Sequence, residues 1–173
     1  MHDHGRAVQV RELPEDIMSS KRILIVDDSA SSILWARTIL AQARYEVQTA
    51  ASGQQGLDTA LAWHPDLILL DGAMPGMDGF ETCRALRVHE ATRMIPVIMV
   101  LARNAPGDVV AEAHRSGCND NVMKPIDKTE LLSKVRKLLV AQIGRVAPGE
   151  RHVLRTVPRP VGARGTSSGS SAA

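Results

Sequence analysis

Aromatic side chains are scarce in this 173-residue sequence: Trp35, Tyr45, Trp63 and Phe80 are all it has. Hydrophobic residues nevertheless make up 44% of the chain, enough for a core, so aliphatic packing must carry it. Cysteine is nearly missing too. Cys83 and Cys118 stand far apart in sequence, with no CxxC and no histidine at zinc spacing, which argues against a disulfide framework or a structural zinc site. No apolar stretch approaches the about 18 residues needed to cross a bilayer, and Met1-His2-Asp3-His4 does not open a signal peptide, so a cytoplasmic protein is expected. Glycine-rich phosphate loops are absent as well: there is no GxxxxGK[ST], which removes a P-loop nucleotide site.

Neither sign of charge is in large excess, since the net charge is only +2. It is uneven, however. Residues 1–20 carry Asp3, Glu12, Glu15 and Asp16 against Arg6 and Arg11, whereas residues 141–173 carry five arginines against Glu150. The middle is close to neutral and gives no electrostatic case for nucleic acid as the main partner. After Ile143 the composition turns to Pro, Gly, Arg, Ser and Ala without a sustained apolar period. We therefore expect a flexible extension over 1–20, one domain over 21–140 and a disordered basic tail over 141–173.

What is present is an alternation of two periods. Short apolar runs near 22–26, 46–50, 67–70, 97–100 and 120–123 read as strands. Segments near 30–43, 53–63, 79–89, 107–116 and 127–141 carry apolar residues three and four apart and read as helices. Repeated strand–helix units give an α/β fold with a parallel sheet. Gly53, Pro65, Gly79, Pro96, Pro106 and Gly117 fall at the junctions, as structure breakers should.

Three of the apolar runs end on charge. Ile23-Leu24-Ile25-Val26 leads into Asp27-Asp28, Leu67-Ile68-Leu69-Leu70 into Asp71, and Asn121-Val122-Met123 into Lys124-Pro125. In a parallel sheet the carboxyl ends share one edge, where open α/β folds bind ligands. Three carboxylates that close repel unless a hard divalent cation such as Mg²⁺ sits among them. A carboxylate beside such a cation can attack phosphorus and become an acyl phosphate, and an ammonium suits a phosphoryl oxygen. Each feature alone has a plainer reading: Asp28 or Ser29 as the N-cap of the helix from Ala30, Asp71 as a turn residue, Lys124 as a solvated side chain. Acid at Asp27-Asp28 also repels phosphate at the place where a dinucleotide fold puts its glycine-rich turn.

With ILIVDDS, HPDLILLDGAMPGMDGFE, PVIMV and NDNVMKP in this order, the chain resembles a receiver domain, the module of two-component response regulators. The resemblance covers about residues 21–140. It implies a flavodoxin-like (βα)5 three-layer sandwich with a five-stranded parallel sheet of order 2-1-3-4-5. It also implies Asp71 as phosphoacceptor, Asp27, Asp28 and Asp71 around Mg²⁺ with the Ala73 carbonyl as a further ligand, and Lys124 on the phosphoryl group with a cis bond to Pro125. A histidine kinase or phosphotransfer protein would be the donor. The chain would then be a signalling module and not an enzyme.

Two positions depart from the family pattern. The residue after Val97-Ile98-Met99-Val100 is usually Ser or Thr and is Leu101; the one three before Lys124 is usually Tyr or Phe and is Asn121. In the family that hydroxyl turns toward the phosphoryl group and the ring follows inward. Neither side chain is here. The leading expectation is a single-domain response regulator without a DNA-binding output domain or membrane segment, signalling through a downstream partner protein. The alternative is a phosphorylation-independent pseudo-receiver that docks a partner. An aspartate-nucleophile phosphatase of the haloacid dehalogenase type would want a second Asp two residues after the nucleophile, and that place is Ala73.

Overall fold

The computed structural model describes residues 21–104 and 107–143. Among the described residues five strands alternate with five helices: β1 (Arg22–Val26), α1 (Ala30–Gln42), β2 (Glu46–Ala50), α2 (Gly53–Trp63), β3 (Leu67–Asp71), α3 (Gly79–Val88), β4 (Val97–Ala102), α4 (Val109–Arg115), β5 (Asp120–Lys124) and α5 (Lys128–Ile143). The sheet has the order β2-β1-β3-β4-β5, and every neighbouring pair is parallel. This is the flavodoxin-like arrangement expected from the motifs.

Alternation along the strands divides the core in two. Leu24 and Val26 face one side, where they join Leu57 and Ala60 of α2, Cys83 and Leu86 of α3 and Ala113 of α4. Ile23 and Ile25 face the other, with Ala36 and Leu40 of α1 and Leu131, Val135 and Leu139 of α5. The spacing of four in that last trio turns one stripe of α5 to the sheet. β3 is buried along its whole length, as a central parallel strand covered on both faces must be. The core is aliphatic, as the composition requires. Tyr45 is the one aromatic among the buried residues, while Trp63 is partly buried, with the Arg22 guanidinium 5.5 Å from its ring centroid.

Element ends differ from the sequence reading where long-range partners decide them. β3 runs through Asp71 because the ladder to β4 continues, with Asp71 opposite Val100 and the Gly72 N–H donating to the Val100 carbonyl at 2.8 Å. β4 and β5 extend to Ala102 and Lys124, which are register partners. α3 stops at Val88, one residue early, and the Thr92 hydroxyl donates to the Leu86 carbonyl that the helix leaves free. α4 is shorter than expected, and α5 runs two residues further. The extension over 1–20 and, from residue 144, the tail lie outside the described residues. Among the described residues no helix is long and apolar enough to cross a membrane, and Cys83 and Cys118 are buried free thiols. Burial pushes the Cys118 thiol up to about 11.

Candidate functional site

The carboxyl ends of β1, β3 and β5 bring the charged residues together. Asp71 is the last residue of β3 and is 3% exposed, and Asp27, one residue past β1, is 5% exposed. Asp28 next to it is exposed. Carboxylate oxygens from Asp27, Asp28 and Asp71 all lie within 4.8 Å of one another. The Lys124 ammonium stands 3.0 Å from Asp71 Oδ1 and 4.0 Å from Asp27 Oδ2. Lys124 precedes a cis peptide bond to Pro125.

Local hydrogen bonds hold this geometry. Ser29, not Asp28, is the N-cap of α1: its hydroxyl accepts from the Ser32 N–H, and its own N–H donates to Asp27 Oδ1 at 2.8 Å. Asp27 is therefore aimed by the turn that starts α1. Burial of Asp27 raises its pKa above the ordinary carboxylate value; the Ser29 N–H and Lys124 lower it, and Asp71 and Asp28 raise it further. Burial outweighs the help from neighbours, so the ionised form is held at a cost that a cation would relieve.

Past Asp71 the chain turns through Gly72 and an exposed Ala73. Asp78 caps α3 in a capping box with Glu81. Gly79 then meets the end of β3 directly: its N–H donates to the Gly72 carbonyl at 3.1 Å, and a Cβ there would come within 2.1 Å of the Asp71 carbonyl oxygen. Only glycine allows α3 to start against the backbone of Asp71.

Of the two unusual positions, Leu101 is built into the core and Asn121 is half-buried on the edge strand. Leu101 is 2% exposed and leans over the residue after Asp71, so that a Cβ on Gly72 would stand 3.1 Å from Leu101 Cδ2 and 3.6 Å from Phe80 Cζ. Asn121 lies opposite Met99 in the ladder, and its backbone carbonyl accepts a hydrogen bond from Lys134 of α5. Lys134 also bonds Asp120 at 2.8 Å and pairs with Glu130 at 3.3 Å. This tether was not foreseen from the sequence, where the only signal is the spacing of four between Glu130 and Lys134.

A family model for the response regulator receiver domain matches residues 23–136. The chain belongs to that family. Its receiver domain is 43% identical over 119 residues to the response regulator PleD of Caulobacter vibrioides, covering 69% of this chain and 26% of PleD. It is 38% identical over 131 residues to the DNA-binding dual master transcriptional regulator RpaA of Synechocystis, covering 76% of this chain and 54% of RpaA. The chain thus spans between a quarter and about half of these relatives' length. Among solved structures, chemotaxis protein CheY4 of Vibrio cholerae matches with a TM-score of 0.64 at 30% identity, over 69% of this chain and 98% of that one. The receiver domain of sensor histidine kinase PA1611 from Pseudomonas aeruginosa, with a magnesium ion coordinated in its active site cleft, matches with a TM-score of 0.65 at 28% identity, over 70% of this chain and 98% of that one. Receiver domains are signalling modules of two-component systems, engaged by a histidine kinase or phosphotransfer protein.

Proposed function

We propose that this chain is a cytoplasmic response regulator that accepts a phosphoryl group on Asp71 and signals through a partner protein. The observation that carries the reading is the convergence of three carboxylates within 4.8 Å, with an ammonium 3.0 Å from the one that ends the central strand. The receiver is assigned to residues 21–140. The donor is a histidine kinase or phosphotransfer protein, and the chain itself is not an enzyme.

The oxygen donors fit a hard divalent cation. Asp27, Asp28 and Asp71 would hold Mg²⁺, with the Ala73 carbonyl as a further ligand. Bound there, Mg²⁺ supplies positive charge to neutralise the phosphoryl oxygens as they approach the acids. The chain's own residues do the rest. An Asp71 oxygen attacks phosphorus, the bond from phosphorus to the donor nitrogen breaks, and its electron pair stays on the imidazole. Lys124, freed from Asp71, follows a phosphoryl oxygen. Ser29 keeps Asp27 in place, and Gly79 lets α3 start against the end of β3. Incubation with a small phosphodonor, read by intact mass with Mg²⁺ and then with excess chelator, tests the reading. A gain of one phosphoryl group that needs the metal is expected; no gain in either condition would remove it.

One observation favours a second reading. Leu101 has no donor for a phosphoryl oxygen, and Asn121 has no ring to swing inward. A pseudo-receiver that docks its partner regardless of phosphate would have this pattern. Partner affinity measured with and without phosphorylation separates the two.

A further inference from the structure

One flank of α5 carries an open groove of about 330 Å³, lined by Lys128, Thr129, Leu132, Ser133 and Arg136. Lys128, Leu132 and Arg136 follow one another at a spacing of four, so they form a row with steps of about 6 Å along the helix axis. Leu132 is partly buried against the cluster that holds Ala36 and Leu40 of α1. On the other flank Lys134 is taken up by Asp120 and Glu130. Among the described residues, by contrast, neither Lys128 nor Arg136 pairs with a carboxylate, and α1 contains no acidic residue to supply one. The row therefore reads cation, apolar, cation.

The chain enters the domain beside the Arg136 end of this row. The Lys21 carbonyl accepts from the Glu46 N–H at 3.0 Å, and Glu46 follows Tyr45, whose hydroxyl neighbours the Arg136 guanidinium. The residues just before Lys21 have the complementary chemistry. Residues 12–18 hold Glu12, Glu15 and Asp16 and no basic residue, with Pro14 between the first two. In an extended chain Glu12, Pro14 and Asp16 share one face in steps of about 6.6 Å, close to the step of the row on α5. Pro14 favours that extended form for the residue before it. Asp16 precedes Lys21 by five residues, a reach of about 17 Å.

We propose that residues 12–18 of this chain dock along the groove of α5, with Asp16 on Arg136, Pro14 over Leu132 and Glu12 on Lys128. The order acid, apolar, acid meets cation, apolar, cation, and the direction follows from where Lys21 enters the sheet. Thr129 and Ser133 offer hydroxyls to the carbonyls of the docked segment. With the segment in place, this cationic flank of α5 is closed to other acidic chains. The docking does not depend on phosphorylation of Asp71.

The test is hydrogen exchange of the full chain, read by mass spectrometry on the peptide that covers residues 12–18. In the unaltered chain its amides should exchange roughly tenfold or more slowly than in Lys128→Glu with Arg136→Glu, and added salt should speed them in the unaltered chain only. Glu12→Lys with Asp16→Lys leaves α5 untouched and should remove the protection too, which separates lost docking from a damaged helix. All four substitutions together should restore the slow exchange, since they exchange the signs across the same pairs. Fast exchange in the unaltered chain, or slow exchange that either charge reversal leaves in place, would overturn the proposal. Protection that rises with protein concentration would also overturn it, because the segment would then sit on a second copy of the chain.

Discussion

The ammonium of Lys124 and the carboxylate of Asp71 meet at 3.0 Å across the end of β4, because their strands stand two places apart in the sheet. The pair partly neutralises the acids, with Lys124 also 4.0 Å from Asp27. It does not neutralise them fully. Three carboxylates share one ammonium, and burial still raises the pKa of Asp27. Charge crowding therefore weakens the fold at this edge.

Asp27→Asn should stabilise the metal-free protein at neutral pH. A carboxyl whose pKa is raised by folding favours the fold when protonated, and that contribution is lost as pH rises through the raised value. Above it the ionised Asp27 weakens the fold, and the variant removes the weakness. The gain should shrink as pH falls toward the ordinary value of 3.8 and vanish below it. Urea midpoints of both proteins across that range check this; a variant less stable at neutral pH would mean that the Ser29 and Lys124 contacts outweigh burial.

Gly79→Ala should cost about 1–3 kcal/mol or more, the range for overpacking, because the added carbon meets backbone at 2.1 Å and not a side chain that can move aside. The displaced atoms belong to Asp71 and Gly72, so labelling of Asp71 should slow as well. Denaturant unfolding and the rate of mass gain measure the two effects. Gly76→Ala is the control for turn strain alone, since Gly76 has positive φ and nothing near its Cβ position.

The apolar runs that end on Asp27 and Asp71 made the parallel sheet and the meeting point of the site legible in the sequence, since burial on two faces demands continuous apolar strands, and Lys124 closes the edge strand beside them. The turn residues showed where α3 must begin. Other features depend on contacts between residues far apart in the chain. The bond from the Thr92 hydroxyl to the Leu86 carbonyl leaves no local pattern of period or spacing, and the Lys134 tether on Asn121 shows only the spacing of four from Glu130. Ser29 is told from Asp28 as the cap by its hydroxyl, which accepts the Ser32 N–H.

Phosphorylation should change the surface of β4, α4 and β5 little in this protein. Leu101 is packed over Gly72 and donates no hydrogen bond, and Asn121 carries no aromatic ring to swing inward. Leu101→Thr with Asn121→Tyr should restore a phosphate-dependent change, because a hydrogen bond to a charged acceptor contributes about 1.5–3 kcal/mol, comparable to typical allosteric coupling. Hydrogen exchange on both proteins, with and without a phosphoryl mimic, decides it. A large change across that surface in the unaltered protein would show that another residue does the coupling.

Intact mass after incubation with a small phosphodonor and Mg²⁺ decides whether Asp71 accepts the phosphoryl group. The unaltered chain should gain one phosphoryl group and the Asp71→Asn chain none. A full gain in Asp71→Asn would place the acceptor elsewhere.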